Sequence, residues 1–321
     1  MTPKVSVIIL CYKQEQYIER CCRSLFGQTL SDMEFIFVND DPEGHCFDFI
    51  TQVLLQYPQR QLQVRLLCNP EHLGISRSRQ KALDQASGEY VTHCDADDWV
   101  DSDCYARMYA HAVAQHADVI GFDMFANRPG VAASQYVLCA DHITQGFQCI
   151  NGSLCNKLVA RSLITEYDIR FPERINWGED MCFSIQCRTL ARHLVHVQEA
   201  YYHYESHKES FTKAVTADKY AEFVQSGAFI ESFLRDKGLL DRYQLGLDEL
   251  KFFCKEYYLI SPKLRDIALW KSFYSECHAS ISQFPNIPRY LKLISLLIVK
   301  GYPRLASGLL LVRDWINKHF R

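Results

Sequence analysis

The first hundred residues alternate between two periodicities, and this alternation limits the fold more than any other feature. Val5–Leu10 is a continuous run of strand-forming residues. The stretches 34-EFIFVND-40, 63-QVRLLCN-69 and 88-GEYVTHC-94 follow it. All four read as strands, and those at 5–10, 34–40 and 88–94 as buried ones. Between them lie segments of helical period: 15–27 on Ile18, Cys22, Leu25 and Phe26; 45–57 on Phe49, Ile50, Val53 and Leu54; and 74–86 on Ile75, Ala82, Leu83 and Ala86. Strands and helices alternating at this spacing predict an α/β fold with a mostly parallel, doubly wound sheet flanked by helices.

The pattern loosens downstream. A helix is expected at 104–116, a strand at 118–125, a loop-like stretch over 127–150 with Gly130 and Gly146, a helix at 178–190 and a strand at 194–204. Beyond about residue 215 the chain reads as helical, beginning with a clear period over 217–238, so a domain boundary is expected near 210–216. That divides the chain into a domain over 1–212 and a mainly α-helical C-terminal region over 213–321.

Composition removes several function classes. A net charge of −3 argues against general nucleic-acid binding. The fourteen cysteines are scattered, with no paired CxxC spacing, which reads as buried free thiols in a reducing cytosol rather than a disulfide framework or a zinc site. The apolar N-terminal run is too short for a signal peptide, and no segment reaches the ~18 apolar residues of a membrane span.

In open α/β sheets, ligands bind beyond the carboxyl ends of the strands. Three such ends are polar: Tyr12-Lys13, Asn39-Asp40-Asp41, and Asp95-Ala96-Asp97-Asp98. The last opens 95-DADDWVDSD-103, which carries five aspartates. Asp101 and Asp103 read as acids at a helix start. Asp95 and Asp97 follow an apolar strand and repel each other unless a cation joins them. Hard carboxylate oxygens suit Mg²⁺ or Mn²⁺, whose remaining ligands commonly come from water and phosphates. An aspartyl-phosphate nucleophile would want its acids on the first strand. A nucleotidyltransferase would want a glycine-rich loop there, and 10-LCYKQE-15 has no glycine.

These residues resemble glycosyltransferase family 2, the inverting nucleotide-sugar transferases of the GT-A fold. The resemblance runs through 5-VSVIILCYK-13, 24-SLFGQT-29, 38-VNDDP-42, 74-GISRSRQKAL-83, 88-GEYVTHCDADDW-99, 156-NKLV-159, 171-FPERINWGED-180 and 202-YHYESHKES-210, covering about residues 4–212. Leu10, Lys13, Asn39, Asp41-Pro42 and Gln80 depart from the family pattern. The resemblance implies a nucleotide-binding half over 1–100 and an acceptor half over 101–212. Tyr12 would stack on the nucleobase, Asp40 would accept from the base or ribose, and Arg79, with Arg77 behind it, would project toward the sugar nucleotide. Asp97 would ligate Mn²⁺ or Mg²⁺, Asp95 would meet the ribose or metal-bound water, and His203 would supply a later metal ligand. Asp180 would be the general base, with Glu179 holding the acceptor or orienting Asp180. Trp99 and Trp177 offer flat faces for sugar rings.

The implied reaction moves a hexose-type sugar from a nucleoside-diphosphate sugar, UDP being the expected nucleotide, to a glycan or lipid-linked saccharide. The expected setting is bacterial surface polysaccharide synthesis on the cytoplasmic side of the membrane. A competing reading is a catalytically silent nucleotide-sugar-binding protein on the same fold. The tail 286–321 carries seven basic residues against Asp314 alone, interleaved with apolar ones. It is expected either to lie on an anionic membrane surface or to pack on its own domain or a second copy in a homo-oligomer.

Overall fold

The computed structural model describes residues 2–128, 130–136, 147, 152–206 and 216–320. The chain divides into two compact units, Met1–Ala140 with Gly152–Ala214, and Asp141–Asn151 with Val215–Arg321. Most of the 210–216 stretch expected to hold the boundary lies outside the described residues, as do 207–210 of the last family-like motif and Gly146.

In the first unit, β1 (Val5–Cys11), β2 (Met33–Asn39), β3 (Val64–Cys68) and β4 (Tyr90–His93) are parallel, in the order β3-β2-β1-β4. Helices α1 (Ile18–Phe26), α2 (Cys46–Leu54) and α3 (Ile75–Leu83) connect them. Strands β2 and β4 are covered on both faces, with every residue buried, whereas β3 at the sheet edge is largely exposed. Parallel register brings the ends of β2, β1 and β4 to one rim. Cys11 pairs with Asn39 and Ile8 with His93, so Tyr12, Asp40 and Asp95 emerge side by side.

The rest of the unit comprises β5 (Trp99–Val100), α4 (Cys104–Ala114), β6 (Val119–Arg128), β7 (Val131–Tyr136), β8 (Lys157–Ala160), α5 (Arg161–Tyr167), α6 (Glu179–Leu190) and β9 (Leu194–Glu205). The sheet continues β4-β8-β6-β9-β5, with β7 on β6. Strand β8 runs antiparallel to β4 and β6, and β5 antiparallel to β9, so this side of the sheet is mixed. The loop-like stretch 127–150 contains β7, a correction to the expectation. Helix α6 is buried nearly all round, the signature of a helix inside a large unit rather than on its surface.

The second unit is helical: α7 (Ala217–Val224), α8 (Ser226–Asp236), α9 (Leu240–Lys255), α10 (Tyr257–Ile260), α11 (Ile267–Ser272), α12 (Arg289–Val299) and α13 (Pro303–Phe320). The single helix expected over 217–238 is two, divided at Gln225. Trp270, Tyr220 and Phe252 form its core. Among the described residues, no helix is long and apolar enough to cross a membrane, and twelve cysteines are free, all but Cys68 buried.

Candidate active site

The site begins where β4 ends. Asp95 leaves the strand half-buried, and Asp98, three residues on, is fully buried. Asp98 accepts from the Tyr202 hydroxyl at 2.6 Å and from the Glu205 amide at 2.8 Å. The same hydroxyl accepts from the Asp95 amide at 3.1 Å. The third aspartate of the motif, absent from the expected site, therefore clamps the acidic turn to β9. Burial and the Asp95 and Asp97 carboxylates push Asp98 well above the usual carboxylate range.

Asp101 and Asp103 separate in the same way. Asp103 is the residue before α4, but its side chain makes no cap; it lies 3.5 Å from Arg107 instead. Asp101 faces His203, with 3.2 Å between Oδ1 and Nε2. Asp103 thus stands at the helix start as expected, whereas Asp101 lies two residues before it and turns to His203. His203 makes further contacts. Its ring is stacked on Trp99, with centroids 3.4 Å apart, and on Phe125 at 4.8 Å. Its second nitrogen lies 3.4 Å from Asn127. Both ring nitrogens have protein partners. Trp99, one expected sugar platform, is covered by His203 on one face and donates to Glu205 at 2.9 Å. Trp177 is half-buried.

The decisive residue is Arg79. It lies in the second turn of α3, whose N-terminus is fixed from two sides. Asp40, buried, accepts from the Leu73 and Gly74 amides at 2.8 and 2.9 Å and from Asn69 at 2.8 Å. Gly74 has φ +87°, and a Cβ there would come within 2.4 Å of the Asn176 side chain, so only glycine fits. Asp40 was expected to meet a base or ribose; in the structure its oxygens hold the 69–74 loop. His72, which sequence reasoning missed, lies 3.0 Å from Asp40, and its ring is 4.4 Å from that of Tyr12. Tyr12 is 40% exposed at the rim, where a flat ligand could reach it.

So positioned, Arg79 reaches Glu179 at 2.6 Å and Asp95 at 3.2 Å, with only 11% of its side chain exposed. Its charge also acts on Asp180, which follows Glu179 in the first turn of α6. Gly178 precedes this turn at φ +97°, a conformation that favours glycine. The Asp180 carboxylate accepts from the Met181 amide at 2.7 Å. Glu179 is buried against Arg79, and burial pushes it up to about 8, against the pull of Arg79 and with the push of Asp180. Asp95 is also raised, first by burial, with Asp97 and Asp180 adding to it and Arg79 opposing. The opposite charge expected from outside the protein is therefore partly supplied within it. One guanidinium faces Asp95 and Glu179 directly and is felt by Asp180, while Asp97 adds a further negative charge on the same turn. The balance remains negative.

Lys13, standing where the resemblance places an asparagine, has φ +56° with its amine 5.2 Å over the Tyr12 ring. Left-handed backbone suits asparagine better than lysine. Among the described residues, no three His, Cys, Asp or Glu side chains converge as a ready metal-ligand set. Two carboxylates can still suffice for Mg²⁺ or Mn²⁺ when a substrate phosphate completes the shell.

Comparison with known proteins accords with this arrangement. The glycosyl transferase family 2 model matches residues 6–149. The cholesterol galactosyltransferase of Borreliella burgdorferi is 27% identical over 83% of this chain and 77% of its own length. Residues 1–349 of TarS from Staphylococcus aureus, solved with UDP-GlcNAc, superpose with a TM-score of 0.67 at 19% identity, covering 99% of this chain and 93% of that one. The mannosyltransferase PcManGT from Pyrobaculum calidifontis, solved with GDP-Man and Mn²⁺, superposes at 0.52 with 13% identity, covering 99% and 88%. The two structural likenesses are of fold, GT-A-like with a helical C-terminal region. Between an enzyme and a silent binding protein, the matches select the enzyme. Residues 6–149 match a glycosyl transferase family 2 domain, and the chain, similar over most of its length to glycosyltransferases, is a glycosyltransferase.

Proposed function

We propose that this chain is a metal-dependent inverting transferase that moves a hexose-type sugar from a UDP-sugar to a hydroxyl of a saccharide or lipid-linked saccharide, in the assembly of a bacterial surface polysaccharide. The observation that carries the reading is the excess of acid around Arg79. Arg79 bridges Asp95 and Glu179, which belong to two turns far apart in sequence, while Asp97 adds negative charge beside Asp95 and Asp180 does so toward Arg79. Asp180 is the base: a carboxylate at the start of α6, able to take the proton of an attacking hydroxyl. Glu179, held by Arg79, fixes the turn that presents it. Asp95 and Asp97 would hold Mn²⁺ or Mg²⁺, which would neutralise charge on the departing diphosphate. Tyr12 gives the nucleobase an aromatic face at the rim, with His72 beside it. Nucleotide sugars bound to TarS and PcManGT, the latter with Mn²⁺, support a donor of this class.

A thermal-shift panel of UDP, GDP and their sugars, with and without Mn²⁺, tests the donor and the metal together. Ligands that bind only the native state raise its apparent stability. The expected result is a Mn²⁺-dependent rise with UDP compounds that Asp97→Asn removes. Equal shifts in Asp97→Asn and wild type would remove the metal role, and no shift with any nucleotide would remove the donor reading.

A further inference from the structure

Helix α13 is inside out. An ordinary helix on a soluble protein turns its apolar stripe inward. Leu305, Leu309, Val312 and Ile316, spaced i, i+4, i+7 and i+11, form a stripe that faces solvent, each between 40% and 61% exposed. Leu311 and Trp315 widen it at 65% and 56%. The inward face has Ala306 and Leu310 buried, but also carries the charged pair Arg313 and Asp314. Asp314 is the single acid between residues 286 and 321, and it is turned to Arg265 at 2.6 Å. Arg313 donates to the Ile260 carbonyl at 2.9 Å. The acid is thus consumed internally. Outside, the exposed charges of α12, α13 and their junction are cations: Arg289, Lys300, Arg304 and Lys318. Tyr290 and Leu293 of α12 extend the exposed apolar surface.

We propose that the outward face of α12 and α13 docks on the interface of an anionic lipid bilayer. A wide apolar face with Trp and Leu, bordered by Lys and Arg without acids, is the pattern of a helix lying in the plane of a membrane surface. The charges choose between occupants. A second copy would set cations against identical cations, which opposes association. An anionic headgroup layer attracts all of them, at a favourable energy for each residue near the surface. The helix lies on the bilayer rather than crossing it, consistent with its hydropathy. The inference stands apart from the catalytic reading, because membrane binding requires no turnover.

Full-length protein is floated with vesicles of phosphatidylcholine alone or mixed with phosphatidylglycerol. Three forms are compared: wild type, Leu309→Gln/Val312→Gln/Ile316→Gln, and Arg304→Gln/Lys318→Gln, with far-UV circular dichroism confirming the fold of each. Wild type is expected to float with the anionic vesicles. The apolar variant should lose binding to both vesicle types, and the charge variant should bind anionic vesicles about tenfold less. Salt at about 0.5 M should weaken the anionic preference of wild type. Wild type that fails to float, or an apolar variant that floats unchanged, overturns the proposal. So does a wild-type dimer that the apolar variant converts to monomer without any vesicle binding, since the face would then belong to a second copy.

Discussion

The two units of this molecule break the same rule in different ways: both bury charge, the second at Glu249, Lys251 and Lys255, and the second also lays an apolar stripe outside. The first puts charge inside. Arg79, Glu179, Asp40 and Asp98 are all removed from most of their water beside the strand ends. The second puts apolar surface outside, along α13. Buried charge is costly unless it is paired, and an exposed apolar stripe gives a soluble fold nothing. Pairing offsets the cost in the first unit, where every one of these groups has a close partner. Among the described residues the outward face of α13 stays exposed, and that asymmetry separates a built site from a surface waiting for an environment.

The comparison is broken most severely by removing the shared cation. Arg79→Met leaves Glu179 and Asp95 without their common partner, and a loss of about 3–5 kcal/mol in denaturant unfolding is expected for such a broken buried pair. A loss near zero would mean the acids are solvated after all. The clamp on the acidic turn is a smaller test. Tyr202→Phe strips Asp98 and the Asp95 amide of their shared hydroxyl and should cost about 1–3 kcal/mol.

The pH dependence sharpens the same point. Glu179 has its folded value raised from about 4.5 to about 8. Between those limits the native state binds more protons than the unfolded one, so this group's contribution falls as pH rises. Relative to Glu179→Gln, wild type should therefore lose stability progressively from about pH 4.5 to about pH 8 and no further above it. Parallel curves for the two would place Glu179 in water. The smallest expected effect belongs to the other unit: the three-residue glutamine variant of α13 should unfold within about 0.5 kcal/mol per substitution of wild type. A large loss would show the stripe to be packed.

What the sequence made legible follows the same division between local and distant. The parallel strands β1 to β4 and their helices could be read because each is a local periodic pattern. Strands β5 and β8, of two and four residues, are too short to show a period and are defined by pairing with β9, β4 and β6. The rim residues Tyr12, Asp40 and Asp95 could be placed because parallel strands end together. Their partners could not: Arg79 and Glu179 are a hundred residues apart, and Asp98 and Tyr202 more than that. The glycines could have given earlier warning, since Gly74 and Gly178 precede the helices that carry the bridge and both take positive φ. In α13 the apolar period was visible, while the side it faces was not.

The most direct test is the rate of nucleoside-diphosphate release in the presence of acceptor, for wild type and Asp180→Asn, beside the thermal shift each gains from the same nucleotide with Mn²⁺. If Asp180 takes the acceptor proton, the variant should keep the shift and lose about 10²–10⁴-fold in turnover. A variant that keeps the shift and turns over within about threefold of wild type would show that the base lies elsewhere.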